Sequence, residues 1–259
     1  MRSTRNSSRN KIIGIVGGMG PYAGMDLEMK IFNCVNAQKD QDFPDVITVS
    51  IPSLIPDRTQ YILDPENADN PSTGIELAIK KLVDAGATHI AIPCNTAHSP
   101  IILKQIKKFI ELNEFDIEFF NIIEETYKWT KANCKGKKIV LYATFGTYHS
   151  KVYNTFFDKE SSIEIVEPAE DDKQLIWDAI YSQSFGVKAF SNPISDRAVE
   201  NFKIVTEKMI AKGFDTFIMG CTEIPLAMGR LRLPITTIDP AKILARALVK
   251  AVCPSRLKA

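Results

Sequence analysis

Short runs rich in β-branched residues alternate with stretches of helical periodicity from residue 11 to the end of this 259-residue chain, and that alternation leaves few folds open. Strands are predicted at 11–17, 46–51, 88–93, 117–121, 138–143, 162–166, 215–219 and 235–238. Apolar spacing near one helical turn predicts helices at 22–37, 73–85, 99–112, 122–132, 171–183, 195–212 and 240–252. Mostly parallel sheets, joined by crossover helices that flank them, satisfy this order.

Two of the predicted strands end alike. Cys94 closes His89-Ile90-Ala91-Ile92-Pro93 and precedes Asn95-Thr96-Ala97-His98, while Cys221 closes Thr216-Phe217-Ile218-Met219-Gly220 and precedes Thr222-Glu223. The starts match as well: one strand runs into Gly17-Gly18-Met19-Gly20, another into Ala143-Thr144-Phe145-Gly146-Thr147. Gly20 lies 74 positions before Cys94, and Gly146 lies 75 before Cys221. This is the pattern of a duplicated α/β unit. Open α/β sheets bind ligands at the C-terminal edge of their strands, so each unit brings one thiol to that edge. A helix beginning beyond each thiol is expected to lower its pKa. Two thiols facing one cleft can take a proton from one face of a carbon and return it to the other.

The last predicted strand and helix follow the second cysteine, so the chain is expected to return to its first domain. The expected division is 12–115 plus 233–259 as one α/β domain and 116–232 as the other. Residues 1–11, basic and rich in Ser and Asn, are expected to form a disordered tail.

Composition removes several classes. Hydrophobic content of 45% and charged content of 24% are those of an ordinary globular protein, and a net charge of +1 exerts no pull toward nucleic acid or an acidic membrane. No apolar run approaches the roughly 20 residues that span a bilayer. Five widely spaced cysteines fit reduced thiols and a cytoplasmic setting better than a disulfide framework.

The turn Gly18-Met19-Gly20-Pro21-Tyr22-Ala23-Gly24 places its third glycine one residue late for a dinucleotide fingerprint, although its N–H groups could still meet a carboxylate. Cys94 and His98, four apart, could be metal ligands or a nucleophile pair, but Cys221 has no such histidine and would be left idle. No metal is expected. Cys34, Cys134 and Cys253 read as small buried hydrophobes. Two proline-bearing stretches, 51–71 and 185–194, carry Arg58 and Lys188 and are long enough to be active-site loops.

Gly17-Gly18-Met19-Gly20-Pro21, Ile55-Pro56-Asp57-Arg58-Thr59, Pro93-Cys94-Asn95-Thr96-Ala97-His98, Ala143-Thr144-Phe145-Gly146-Thr147, Gly186-Val187-Lys188-Ala189 and Gly220-Cys221-Thr222-Glu223 occur in that order. Together they resemble the aspartate racemase branch of the aspartate/glutamate/hydantoin racemase superfamily, from about residue 12 to the final helix. Glutamate racemases typically show Asp-Ser-Gly in the first loop and Thr-His after the second cysteine; this chain has glycines and Thr222-Glu223. One departure is Gly24, where relatives often place Thr. The resemblance implies two pseudo-symmetric α/β domains with the site in the cleft between them, no cofactor, and a homodimer. It also implies a small dicarboxylic amino acid as substrate, with Cys94 and Cys221 as catalytic acid and base. Alternatives on the same fold are a broad-specificity or glutamate racemase, a decarboxylase, a maleate-type isomerase, or a non-catalytic amino-acid-binding protein.

Racemisation without an electron sink needs one thiolate and one thiol at once. With both pKa values near 8.5, the correct mixed state holds about 3% of molecules at pH 7; lowering both to about 7 raises that to about 25%. Roughly eightfold is a small term beside the donors that must stabilise the developing carbanion, each worth about 2.7–4 kcal/mol by analogy with oxyanion holes. Candidate donors are the Met19-Gly20 turn, Asn95, Thr96 and Thr222 beside the thiols, and Thr144, Gly146 and Thr147 in the equivalent turn. Glu223 is the expected counter-charge for the substrate ammonium, with Arg58 and Lys188 holding its side-chain carboxylate.

Overall fold

The structure, a computed structural model, describes residues 11–134, 137–159 and 162–259. The tail expected at 1–11 lies outside them except for Lys11, whose ammonium donates to the Ala251 carbonyl at 2.7 Å. In chain order the first half comprises β1 (Ile12–Gly17), α1 (Pro21–Asn33), β2 (Asp45–Ser50), α2 (Arg58–Leu63), α3 (Ser72–Asp84), β3 (His89–Ala91), α4 (Pro100–Leu112), β4 (Glu118–Phe120) and α5 (Ile122–Asn133). The second half comprises β5 (Lys138–Ala143), α6 (Phe145–His149), α7 (Asn154–Phe157), β6 (Glu164–Val166), α8 (Glu170–Tyr181), α9 (Asp196–Ala211), β7 (Thr216–Gly220), α10 (Ile224–Met228), β8 (Thr236–Ile238) and α11 (Pro240–Val252).

These strands form two four-stranded sheets of order β2-β1-β3-β4 and β6-β5-β7-β8, parallel at every pairing. The two orders are the same pattern read twice, which is the duplication visible in the sequence. Both cysteines follow the third strand of their sheet's sequence order, β3 and β7. Alternation along the strands explains how each sheet is covered on both faces. Ile13, Ile15, Ala91, Leu141 and Ile218 point into a shared core with Leu244 and Leu248 of α11. Their strand neighbours point the other way: Val16 and Ile90 meet Ile75, Ile79 and Leu82 of α3, and Val140 and Phe217 meet Phe202 and Val205 of α9. Parallel strands buried on both faces need such continuous apolar runs.

The closing helix α11, capped by the Asp239 carboxylate on the Ala241 and Lys242 amides, packs against α1 and α5. β4 pairs with β3 in the first sheet and β8 with β7 in the second. A division at 116 and 233 would leave each of those strands on the wrong side, because a strand belongs where its backbone hydrogen bonds go. The proposed domain division therefore moves to the residues just after Phe120 and just before Asp239. No helix of the described residues is long and apolar enough to cross a membrane.

The stretch at 51–71 holds α2, a helix that periodicity alone does not reveal. It is capped by Asp57, whose side chain accepts from the Thr59 and Gln60 amides. α2 lies against α6 of the second half, and Gly146 makes that approach possible. A Cβ on Gly146 would sit 2.8 Å from Thr59 Oγ1 and 2.9 Å from Thr59 Cα. Gly146→Ala is accordingly expected to destabilise the fold by about 1–3 kcal/mol through overpacking, measured by denaturant unfolding. Unchanged stability would mean the seam between α2 and α6 yields freely.

Candidate active site

β3 ends at Ala91, and the chain runs on through Ile92-Pro93 to deliver Cys94 three residues beyond the strand. The Cys94 sulfur side is buried, with 5% of the residue exposed. A 3-10 turn follows at Thr96–His98, so α4 begins only at Pro100. His98 Nδ1 donates to the Cys94 carbonyl at 2.8 Å, and burial pushes the imidazole down to about 4. That hydrogen bond pins the backbone of the cysteine loop. It directs the histidine to the carbonyl rather than to the thiol.

Donors predicted beside Cys94 gather with the turn after β5. Thr96 Oγ1 lies 3.1 Å from Thr144 Oγ1 and 3.0 Å from Thr147 Oγ1, and the latter two are 3.2 Å apart. Thr144 also caps α6 by accepting the Thr147 amide. Asn95 Oδ1 accepts from the Tyr153 hydroxyl at 2.8 Å, while its Nδ2 is buried with no partner among the described residues.

Cys221 follows β7 directly and is 7% exposed. Its thiol donates to Glu223 Oε2 at 2.9 Å. The other oxygen, Oε1, accepts from Lys188 Nζ at 2.8 Å and from the Gly20 amide at 3.3 Å. The glycine turn does meet a carboxylate, and it is the protein's own. Next to Cys221, the Thr222 hydroxyl donates to the Pro93 carbonyl at 3.1 Å. This bond joins the residue after one cysteine to the residue before the other. The two cysteine loops, 127 positions apart in sequence, are thereby tied together.

The two sulfurs have different charged neighbours. Burial pushes the Cys221 thiol well up, the Glu223 carboxylate adds to this, and Lys188 opposes it. The expected lowering by a helix start is overturned at Cys221, since burial and an adjacent anion outweigh the five-residue α10. Burial also works to raise the Glu223 carboxyl, but Lys188 and the Cys221 hydrogen bond hold it below the usual carboxylate range. Burial works against charge on Arg58 as well, and the strongest influence opposing it is the nearby Cys94 sulfur. Arg58 therefore lies near Cys94, while Glu223 and Lys188 both lie near Cys221.

Arg58 is a buried cation that the protein satisfies only in part. It is 7% exposed, donating through Nη1 to the Pro56 carbonyl at 3.2 Å and through Nη2 to the Met19 carbonyl at 3.4 Å. Its Nε has no hydrogen-bond partner, and it has no ion pair among the described residues. A buried guanidinium with an unpartnered N–H is costly, and a ligand of opposite sign commonly completes such a group. Gly20, Tyr22, Asp57, Arg58, Lys188 and Glu223 line a cavity of about 250 Å³. This is smaller than the range of about 300–1,000 Å³ typical of drug-sized ligands, so a small anion suits it. Neither cysteine is on its lining, and both are buried. A larger hollow of about 590 Å³, lined by Trp129, Met228, Lys242 and Arg246 among others, contains neither cysteine nor Arg58.

All the sequence-predicted site residues fall in this one region: Met19, Gly20, Arg58, Cys94, Asn95 and Thr96 from the first half, and Thr144, Gly146, Thr147, Lys188, Cys221, Thr222 and Glu223 from the second. Sequence reasoning missed Asp57, Tyr153 and Tyr181. Asp57 carries a readable signal as a capping residue ahead of Arg58-Thr59-Gln60. The two tyrosines sit among ordinary helical and loop residues, and nothing in the pattern singles them out.

Comparisons with known proteins bear on the family and the fold. The family model described as Asp/Glu/Hydantoin racemase matches residues 16–248. A broad specificity amino-acid racemase of Bacillus subtilis, RacX, is 25% identical over 242 residues, covering 92% of this chain and 96% of that protein. A glutamate racemase of Corynebacterium diphtheriae is 26% identical over 184 residues, covering 69% of this chain and 63% of its own. Among solved structures, an aspartate racemase of Picrophilus torridus superposes with a TM-score of 0.80 at 29% identity, covering 96% of each chain.

Proposed function

The chain belongs to the Asp/Glu/hydantoin racemase family, and within it we propose an amino-acid racemase that inverts a small dicarboxylic amino acid, aspartate first, with Cys94 and Cys221 as paired acid and base. The observation that carries this reading is the Thr222-to-Pro93 hydrogen bond, which holds the two cysteine loops against each other.

In the proposed reaction, Cys221 waits as the thiol, as burial and Glu223 favour, and its partner Cys94 takes the first proton. The Cα–H bond breaks as an S–H bond forms on Cys94, and the electron pair passes into the α-carboxylate. Asn95 Nδ2 and the threonine cluster are the donors available to that developing charge, and such donors act strongly because they are preorganised away from water. Cys221 then gives its proton to the opposite face of the carbon. The reverse reaction exchanges the two roles. Because Glu223 already engages Lys188, Gly20 and Cys221, substrate must draw it away before Cys221 can reach the carbon. The substrate ammonium is the group to do so, and losing Glu223 frees Lys188 for a carboxylate. Inversion of aspartate by the reduced protein without added cofactor, followed by chiral chromatography, tests the reading. Absence of inversion across the common amino acids defeats it.

A second reading, broad specificity, is favoured by one observation. Of the two cations lining the cavity, Lys188 is paired with Glu223 and Arg58 has no ion pair among the described residues, and one cation suffices for the carboxylate that every amino acid has. The same screen separates the two, since a strong aspartate preference excludes it. A homodimer is proposed alongside, and light scattering giving the 28.9 kDa mass of a single chain would exclude that assembly.

The charge around Cys221 yields a pH prediction. A thiol with a raised pKa stays protonated, and so able to donate, to higher pH; donation by Cys221 is present below that value and lost above it. Glu223→Gln removes the anion that disfavours thiolate and leaves Lys188, which favours it. The alkaline limb of the rate profile in the direction that uses Cys221 as acid is therefore expected to move to lower pH. A limb that stays in place or moves upward would mean that Cys221 is not the donor.

A further inference from the structure

Tyr181 ends α8 in the second half and reaches Asp57, a residue of the cavity lining, in the first half. Its hydroxyl donates to Asp57 Oδ2 at 3.0 Å and stands 3.5 Å from Thr59 Oγ1. The other oxygen of the same carboxylate, Asp57 Oδ1, accepts from the Thr59 and Gln60 amides at 2.8 and 3.0 Å. Asp57 therefore caps α2 with one oxygen and fastens it to α8 with the other. Arg58 is the first residue of α2. Lys188 Nζ lies over the Tyr181 ring, 5.1 Å from its centroid. Trp177 stacks on Tyr181 with centroids 3.8 Å apart and planes 10° from parallel, and Trp177 in turn meets Phe145 of α6 at 5.1 Å. One side chain thus touches the mounts of both cations that line the cavity, from a base held rigid by packed aromatic rings.

We propose that Tyr181 is a positioning residue: through its hydroxyl on Asp57 and its ring beneath Lys188 it fixes the separation of Arg58 and Lys188, and so sets the length of dicarboxylate that the site accepts. This rests on the reading of those two cations as the carboxylate-binding pair of a racemase. Holding groups in the geometry of the bound substrate lowers what binding must supply, and a small misplacement of such groups is amplified in affinity.

The test uses Tyr181→Phe, which keeps the ring and removes the hydroxyl, and Asp57→Ser, which keeps a capping oxygen too short to reach Tyr181. Kinetics with aspartate and with glutamate, one methylene longer, are paired with amide hydrogen exchange over residues 57–63 without substrate. Tyr181→Phe is expected to raise KM for aspartate about tenfold, the weight of a hydrogen bond to a charged acceptor, with kcat within about twofold. The preference for aspartate over glutamate falls, and the amides at 57–63 exchange faster. Asp57→Ser shifts each readout in the same direction and also loses the Asp57 charge beside Arg58, and the double variant is no worse than Asp57→Ser alone, because the Tyr181 hydroxyl then has no clasp left to lose. Unchanged KM and exchange in Tyr181→Phe, or single effects that multiply in the double variant, overturn the proposal. So does a parallel fall of kcat and thermal stability at unchanged KM, the signature of a residue that only supports the fold. If the wild-type protein inverts no amino acid, the racemase reading fails on its own. The exchange measurement then decides the clasp: faster exchange in Tyr181→Phe upholds it, and unchanged exchange refutes it.

Discussion

Serine in place of Cys94, or in place of Cys221, is expected to lower inversion of aspartate by about 10²–10⁴-fold in both directions, the usual contribution of a positioned acid or base. The hydroxyl matches the thiol in reach but gives up its proton far less readily, so each variant retains the site's shape and loses one partner of the exchange. The equality of the two effects is the informative part. A decarboxylase on this fold needs only one protonating cysteine, and the two substitutions would then differ grossly. An amino-acid-binding protein needs neither thiol, and aspartate affinity would survive both changes. Circular dichroism and unfolding of each variant should match the wild type, because both residues are small and buried and the volume change is slight.

Arg58→Met tests the other half of the site. The guanidinium is buried, with an unpartnered Nε and only two long hydrogen bonds to backbone carbonyls. Replacing it with a flexible apolar stem of similar length relieves the desolvation of a buried charge but also removes its attraction to Asp57 and to the Cys94 sulfur, so the two effects offset. The melting temperature is expected to stay within a few degrees of wild type. Aspartate binding is expected to weaken by about 2–5 kcal/mol, or about 30- to 4,000-fold in KM, as when one partner of a buried charge pair is truncated. Retained stability with lost binding is the pattern of a residue kept for its ligand. A fall of several degrees with aspartate affinity intact would instead make Arg58 a structural residue.

Much of the fold was legible because it rests on local periodicity. β1, β5 and β7 are nearly uninterrupted apolar runs because their sheets are covered on both faces, and the shared core and the outer helices each take alternate residues of the same strand. The cysteines were legible because each ends such a run and is followed at once by polar residues. What the pattern could not give depends on long-range packing. Glu223 and Lys188 are 35 positions apart, and only their contact turns Glu223 into an occupant of the resting site rather than a free counter-charge. The raised Cys221 pKa follows from that carboxylate and from burial, and neither is a property of the Gly-Cys-Thr-Glu sequence. Helix α2 is six residues long, too short for periodicity to register, yet it carries Arg58. Tyr181 finds Asp57 across 124 positions. The division at 116 and 233 misplaced β4 and β8 because a sequence break shows where an element ends and says nothing of which sheet receives the next one.

The central claim is that two sulfurs serve one carbon from opposite sides, and deuterium placement in the first turnovers tests it most directly. L-aspartate is converted in D2O, and both enantiomers are separated while only a small fraction has reacted. With two distinct proton carriers, D-aspartate carries solvent deuterium at Cα while the unreacted L-aspartate remains protiated. Substrate protium carried over into the early D-aspartate, or deuterium entering L-aspartate as fast as the product forms, would mean that a single base works both faces, and the paired-cysteine account would be wrong.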